Sequence, residues 1–92
     1  MAKYRLIYSN SYKKDAKKLS AQILAQIEAV LDRLANGEKL EPKYHDHALK
    51  GGLKGLRDCH VRPDLVLIYQ IDGDELILTA LRIGSHSELG LK

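Results

Sequence analysis

Apolar positions along the chain change period twice, and those changes divide it into elements. Tyr4-Arg5-Leu6-Ile7-Tyr8 is a short aromatic and β-branched run that predicts a strand. Ser9-Asn10-Ser11 then offers N-cap side chains for a helix over 11–19, where Asp15 stands one turn before Lys18. Ser20 can cap a second helix. In it Ile23, Ile27, Val30, Leu31 and Leu34 recur every three or four residues, the spacing of one buried stripe. Asn36-Gly37 ends the stripe with residues that tolerate a left-handed backbone. With almost no loop between them, the two helices predict a hairpin.

From 38 to 54 the periodicity vanishes, and Pro42, Gly51 and Gly52 predict a loop, long for so small a chain and therefore a candidate for function. A strand follows over 56–61, then the turn Arg62-Pro63-Asp64, whose proline presets the backbone. The continuous apolar run over 65–71 reads as a central strand. Asp72-Gly73 is a hairpin signal, and a last strand over 75–83 closes at Gly84. The sum is an α+β fold in one domain over 1–92. It has an N-terminal strand, a helical hairpin and a three-stranded meander. The strands are expected to form a four-stranded antiparallel sheet, with the helices on one face and the other partly open.

Composition narrows the function. A chain of 92 residues has room for one core, and with neither Phe nor Trp that core must come from Leu, Ile, Val and Tyr. The single Cys59 excludes an internal disulfide, fits a reducing compartment and is expected in the core. The N-terminus carries no apolar signal segment and no run is long enough to cross a bilayer, so the expected location is cytoplasmic, without a membrane. Net charge is only +3, so distribution matters more than the sum. Lys13, Lys14, Lys17 and Lys18 read as a solvated helix face. Lys43, Lys50, Lys54, Arg57 and Arg62 instead thread through the histidine region, as a contact surface for a polyanion such as RNA would.

All four histidines lie in the second half of the chain, beside Asp46, Asp58 and Asp64. Imidazole titrates near pH 6.5 and so can give or take a proton in neutral water. Strand alternation puts Asp58 and His60 on one face, with Arg57 and Cys59 on the other. The Pro63 turn returns Asp64 toward His60, and Arg82 and His86 lie at the end of the last strand. With His47 on the adjoining loop, these groups can converge. Such a set suits RNA cleavage without a cofactor or a metal cage. The 2′-OH must lose a proton, the 5′-oxygen must gain one, and a guanidinium can neutralise the phosphate between them. His45 is expected on the surface, pointing away from His47 if the segment is extended. The competing chemical reading is a zinc site built from His45, His47, Cys59 and His60. His-x-His spacing permits it, although no Cys-x-x-Cys accompanies it.

Three separated segments carry a resemblance. They are Lys43-Tyr44-His45-Asp46-His47-Ala48-Leu49-Lys50-Gly51, then Gly55-Leu56-Arg57-Asp58-Cys59-His60-Val61-Arg62-Pro63-Asp64-Leu65, and Arg82-Ile83-Gly84-Ser85-His86-Ser87-Glu88. In type and order they resemble the YafQ-type toxins of the RelE/ParE superfamily of toxin–antitoxin systems. The derived element order matches that family over essentially the whole chain. The resemblance implies a ribosome-dependent mRNA endonuclease (an mRNA interferase) that cuts in the A site. A small, acidic cognate antitoxin of the DinJ/RelB-like kind would hold it inactive. It also implies His47, His60, Asp64 and His86 as the acid–base group, with His86 protonating the leaving oxygen, and Arg82 as phosphate ligand. Lys50, Lys54 and Arg62 are the further RNA-contacting candidates. Two departures are Leu65 and Gly90, where relatives can carry aromatic residues. The alternative is a non-catalytic toxin or antitoxin-binding module on the same scaffold, gyrase-directed or degenerate. A pure binder has no need of those four acid–base residues.

Overall fold

A computed structural model describes residues 2–49 and 55–90. The elements run β1 (Arg5–Tyr8), α1 (Asn10–Ala16), α2 (Ala21–Ala35), a 3₁₀ turn (Pro42–Tyr44), β2 (His47–Ala48), β3 (Leu56–Arg62), β4 (Leu65–Asp72) and β5 (Ile77–Gly84). The strands form one sheet in the order β1-β5-β4-β3-β2. The α+β class stands, and the expected four-stranded antiparallel sheet is corrected twice. First, β1 runs parallel to β5, with Arg5 opposite Ile77 and Tyr8 opposite Ala80. Hydrophobic alternation assigns the faces of a strand but says nothing of its direction. The long helical connection after β1 lets it join the far edge in parallel. Second, the expected loop contains the 3₁₀ turn and the added strand β2, where His47 pairs with Asp58 and Ala48 with Arg57. Two residues are too few to show a period.

Caps fix the helices. Ser9 Oγ accepts a hydrogen bond from the Tyr12 N–H at 3.0 Å, and its hydroxyl donates to the Leu81 carbonyl at 2.8 Å. α1 ends at Ala16 rather than 19. The N–H groups of Lys18 and Leu19 close a tighter turn onto the Asp15 and Ala16 carbonyls and deliver the chain to Ser20. Ser20 Oγ caps α2 by accepting from the Ile23 N–H. At the other end Gly37 adopts φ +81°, and the N–H groups of Gly37 and Glu38 reach the Leu34 and Arg33 carbonyls, a Schellman closure.

The stripe of α2 (Ile27, Val30, Leu31, Leu34) packs with Tyr12 of α1 against the inner face of the sheet, where Cys59, Leu67, Tyr69, Leu78 and Ala80 are fully buried. The β4–β5 turn is longer than a two-residue hairpin. Asp72 Oδ1 accepts from the N–H groups of Asp74 and Glu75, and the left-handed backbone falls on Leu76 (φ +56°), delaying β5 to Ile77. The sheet face opposite the helices carries the remaining chemistry.

Candidate active site

Register builds this face in rows. His47 pairs with Asp58, Asp58 with Ile68, and Ile68 with Arg82, so these four side chains share one row across four strands. In the next row His60 pairs with Val66 and Val66 with Gly84. Arg82 belongs to the open face only because β5 is irregular. Leu78 and Ala80 point into the core, and strict alternation would send Arg82 after them. Leu81 instead drops out of the β4 register, so Arg82 turns outward and Ile83 turns in. The Leu81 carbonyl freed by this bulge is the one that Ser9 binds.

Three imidazoles gather here. The His60 ring lies 5.1 Å from that of His45 and 4.9 Å from that of His86. His86 Nδ1 is 2.6 Å from Asp64 Oδ1, and the His86 N–H donates to the same oxygen at 3.1 Å. An acceptor-only carboxylate on Nδ1 fixes that nitrogen as the donor and leaves Nε2 facing outward. These bonds from His86 hold the Asp64 carboxyl below its ordinary range. His60 is lowered from its ordinary value, chiefly by burial and then by the charges that His86 and His45 can carry, against the opposing pull of Asp58. A positive charge on this ring is therefore disfavoured.

His47 is held differently. Its Nδ1 donates to the His45 carbonyl at 2.7 Å, and its Nε2 lies 3.2 Å from Oδ1 of Asp58. Asp58 is buried, and that oxygen gains charge proximity without a directed hydrogen bond. The His47 ring is 56% exposed, so it remains accessible beside the Asp58 carboxylate.

The turn bearing His86 has its own scaffold. Ser85 Oγ accepts from the Glu88 N–H at 3.1 Å, and Glu88 Oε1 accepts from the Ser85 N–H at 2.8 Å, a reciprocal capping box. Gly84 lets this turn fold back, because a Cβ there would meet Glu88 at 3.2 Å and Leu89 at 3.4 Å. On the opposite flank Asp46 ties the His45-to-His47 segment to the core side of the sheet, bonded to the Arg57 guanidinium and the Tyr69 hydroxyl.

The structure thus brings His47, His60, Asp64 and His86 to one face, with Arg82 in the His47 row. Arg82 is forked onto Asp15 of α1, Nε at 2.7 Å and Nη2 at 3.2 Å, and Asp15 also accepts from the Ile83 N–H. Arg62 lies at the end of β3, beside His60. Lys50 and Lys54 lie outside the described residues. Sequence reasoning missed the contact between His45 and His60. His45 is exposed as expected, yet its backbone is left-handed (φ +49°) rather than extended, and the ring turns onto His60. Asp15, read as a helical neighbour of Lys18, instead binds Arg82, and the capping box was missed, although Ser85-x-x-Glu88 was a legible spacing. A zinc set including Cys59 fails on geometry, since Cys59 is buried on the helix side while His60 faces the other way. Burial pushes that thiol up to about 12. Among the described residues no group of three or more His, Cys, Asp or Glu side chains is arranged to hold a metal ion. A concavity of about 600 Å³ at the far end of the sheet, beside Ile7, Ile71 and Ile77, contains none of these groups.

Residues 4–91 match the family model described as "Bacterial toxin of type II toxin-antitoxin system, YafQ". The chain belongs to the YafQ family. It is 35% identical over 85 residues to the "mRNA interferase toxin YafQ" of Escherichia coli (strain K12), covering 89% of this chain and 90% of that one. The fold is similar to the E. coli YafQ toxin solved as a DinJ-YafQ toxin-antitoxin complex, with a TM-score of 0.81 at 35% identity over 95% of this chain and 97% of that one. It is equally similar to a metal-bound toxin from Helicobacter pylori, at TM-score 0.81 and 42% identity over 97% and 99% of the two chains. No helix among the described residues is long and apolar enough to cross a membrane.

Proposed function

We propose that this YafQ-family toxin is an mRNA interferase, an endoribonuclease that acts on messages held by the ribosome in the cytoplasm and is restrained by a DinJ-like antitoxin. The observation that carries the reading is the closeness of His60 and His86, with Asp64 bonded to His86. His60, disfavoured as a cation, takes the proton of the 2′-OH. The 2′-oxygen attacks phosphorus, the bond from phosphorus to the 5′-oxygen breaks, and His86 delivers its Nε2 proton to that oxygen. An anionic Asp64 on Nδ1 stabilises the positive charge His86 bears before the transfer. The products are a 2′,3′-cyclic phosphate and a 5′-OH. His47, beside Asp58 on the same face, helps to activate or orient the 2′-OH. Arg82, fixed by Asp15, supplies positive charge to the phosphate, and Lys50, Lys54 and Arg62 extend the contact with RNA.

The test is the mapping of 5′ ends on translated mRNA with purified toxin. In-frame cuts that disappear with His86→Ala and Asp64→Ala are expected, with losses of about 10²–10⁴-fold. Intact message beside continued growth arrest would overturn the nuclease reading in favour of a non-catalytic toxin.

A further inference from the structure

A cavity of about 430 Å³ opens beside His60, between the 3₁₀ turn and the end of β3, and its wall includes Lys43, Tyr44, His45, Arg62 and Pro63. We propose that this cavity is a nucleotide subsite, which takes the base and phosphate of the residue next to the cleaved bond. The proposal rests on the nuclease reading above and adds where the RNA strand leaves the reacting centre.

Three observations carry it. The first is the supply of unspent positive charge. Arg33 is paired with Glu38 and Glu41, and Arg57 with Asp46. Arg62 has no carboxylate partner among the described residues, and Lys43 is exposed, its ammonium 5.2 Å from the Tyr44 ring centroid and its charge felt by Glu41. Two cations on one rim are what a phosphate chain requires. The second is the exposed His45 ring, beside a Tyr44 ring partly covered by Lys43 and Arg33; flat rings of this kind bind bases without reading their sequence.

The third is the rigidity given to His45. A non-glycine residue at φ +49° costs free energy, and such strain persists only where the surroundings enforce it. Here the His45 N–H donates to the Pro42 carbonyl at 3.0 Å, the His45 carbonyl accepts from His47, and the next side chain, Asp46, is anchored to Arg57 and Tyr69. A merely solvated histidine needs no such clamp. The cavity volume also lies within the roughly 300–1,000 Å³ of small-ligand sites.

The experiment titrates purified wild-type toxin with a fully 2′-O-methylated RNA trinucleotide of mixed sequence, which lacks the nucleophile, and follows amide signals by NMR. Signals of Tyr44, His45, Val61 and Arg62 are expected to move. The double variant Lys43→Ala/Arg62→Ala should bind about tenfold more weakly and with a shallower salt dependence. His45→Asn, which keeps the left-handed backbone and removes the ring, should bind about fivefold more weakly. Unchanged affinity in both variants, or signal changes confined to other surfaces, would overturn the subsite. So would variants that weaken the antitoxin complex but bind the trinucleotide normally, since the cavity would then belong to a protein partner. The two readings fail separately. Trinucleotide binding here without cleavage on ribosomes defeats the nuclease and keeps the subsite, while cleavage with unaltered binding by both variants does the reverse.

Discussion

At His60, burial and two flanking imidazoles act in one direction, against a positive charge on the ring. A base kept neutral stays competent in mild acid, so the acidic limb of cleavage against pH is expected below the ordinary imidazole value of about 6.5. The same shift enters stability. Between its lowered folded value and about 6.5, His60 binds more protons in the unfolded chain, so stability falls as pH drops through that window. Asp64, also lowered, adds stability that is present above its ordinary value of 3.8 and is lost only at more acidic pH. Thermal unfolding of wild type at pH 7.5 and 5.5 should therefore show a lower midpoint in acid, with a smaller difference in His60→Gln. At this scale the sequence displayed the reacting types but not all their neighbours. Alternation placed Asp58 with His60. No pattern announced that His45 would twist onto His60, because a left-handed histidine follows from the 3₁₀ turn before it and the Asp46 anchor after it.

Individual elements hold these residues by devices that differ in legibility. Ser9, Ser20 and Gly37 act as caps as their residue types predict, because capping is local chemistry. The β5 bulge was invisible, since Leu78, Ala80 and Arg82 read as simple alternation until Leu81 leaves the register. The direction of β1 was equally hidden. Two substitutions test the elements separately. Leu76 is exposed (47%) and sits at φ +56°, where a side chain is strained and buries little. Leu76→Gly should raise stability by about 1 kcal/mol, read as an increase of roughly 4–8 °C in the melting midpoint. Glu88→Ala removes one half of the capping box on the turn carrying His86. Cleavage should drop at least several-fold because His86 loses its fixed approach to Asp64. The melting midpoint should move little, since no member of the core cluster lies in that turn.

Across the whole molecule, the candidate site and the core occupy opposite faces of one sheet, and the chain closes the site last. The helix-facing cluster draws on α1, α2, β3, β4 and β5, and its final member is Ile83. Catalytic geometry needs one further step, the turn that begins at Ser85 and sets His86 between Asp64 and His60. Folding and chemistry are therefore separable at Gly84. A chain ending there retains every residue of the core cluster, the Ser9 and Asp15 ties to β5, and the Asp46 anchor. Among the described residues it loses the turn that carries His86, the proposed proton donor, with its support. Such a truncation should unfold cooperatively, with a midpoint within about 10 °C of the full chain, because the missing contacts amount to about 1–2 kcal/mol. It should leave translated mRNA uncut and cells unarrested. It should also bind the 2′-O-methyl trinucleotide, since Lys43, His45 and Arg62 lie outside the deleted part. Unfolding of the truncated chain would show that the turn helps to hold the sheet. Retained cleavage would remove His86 from the mechanism.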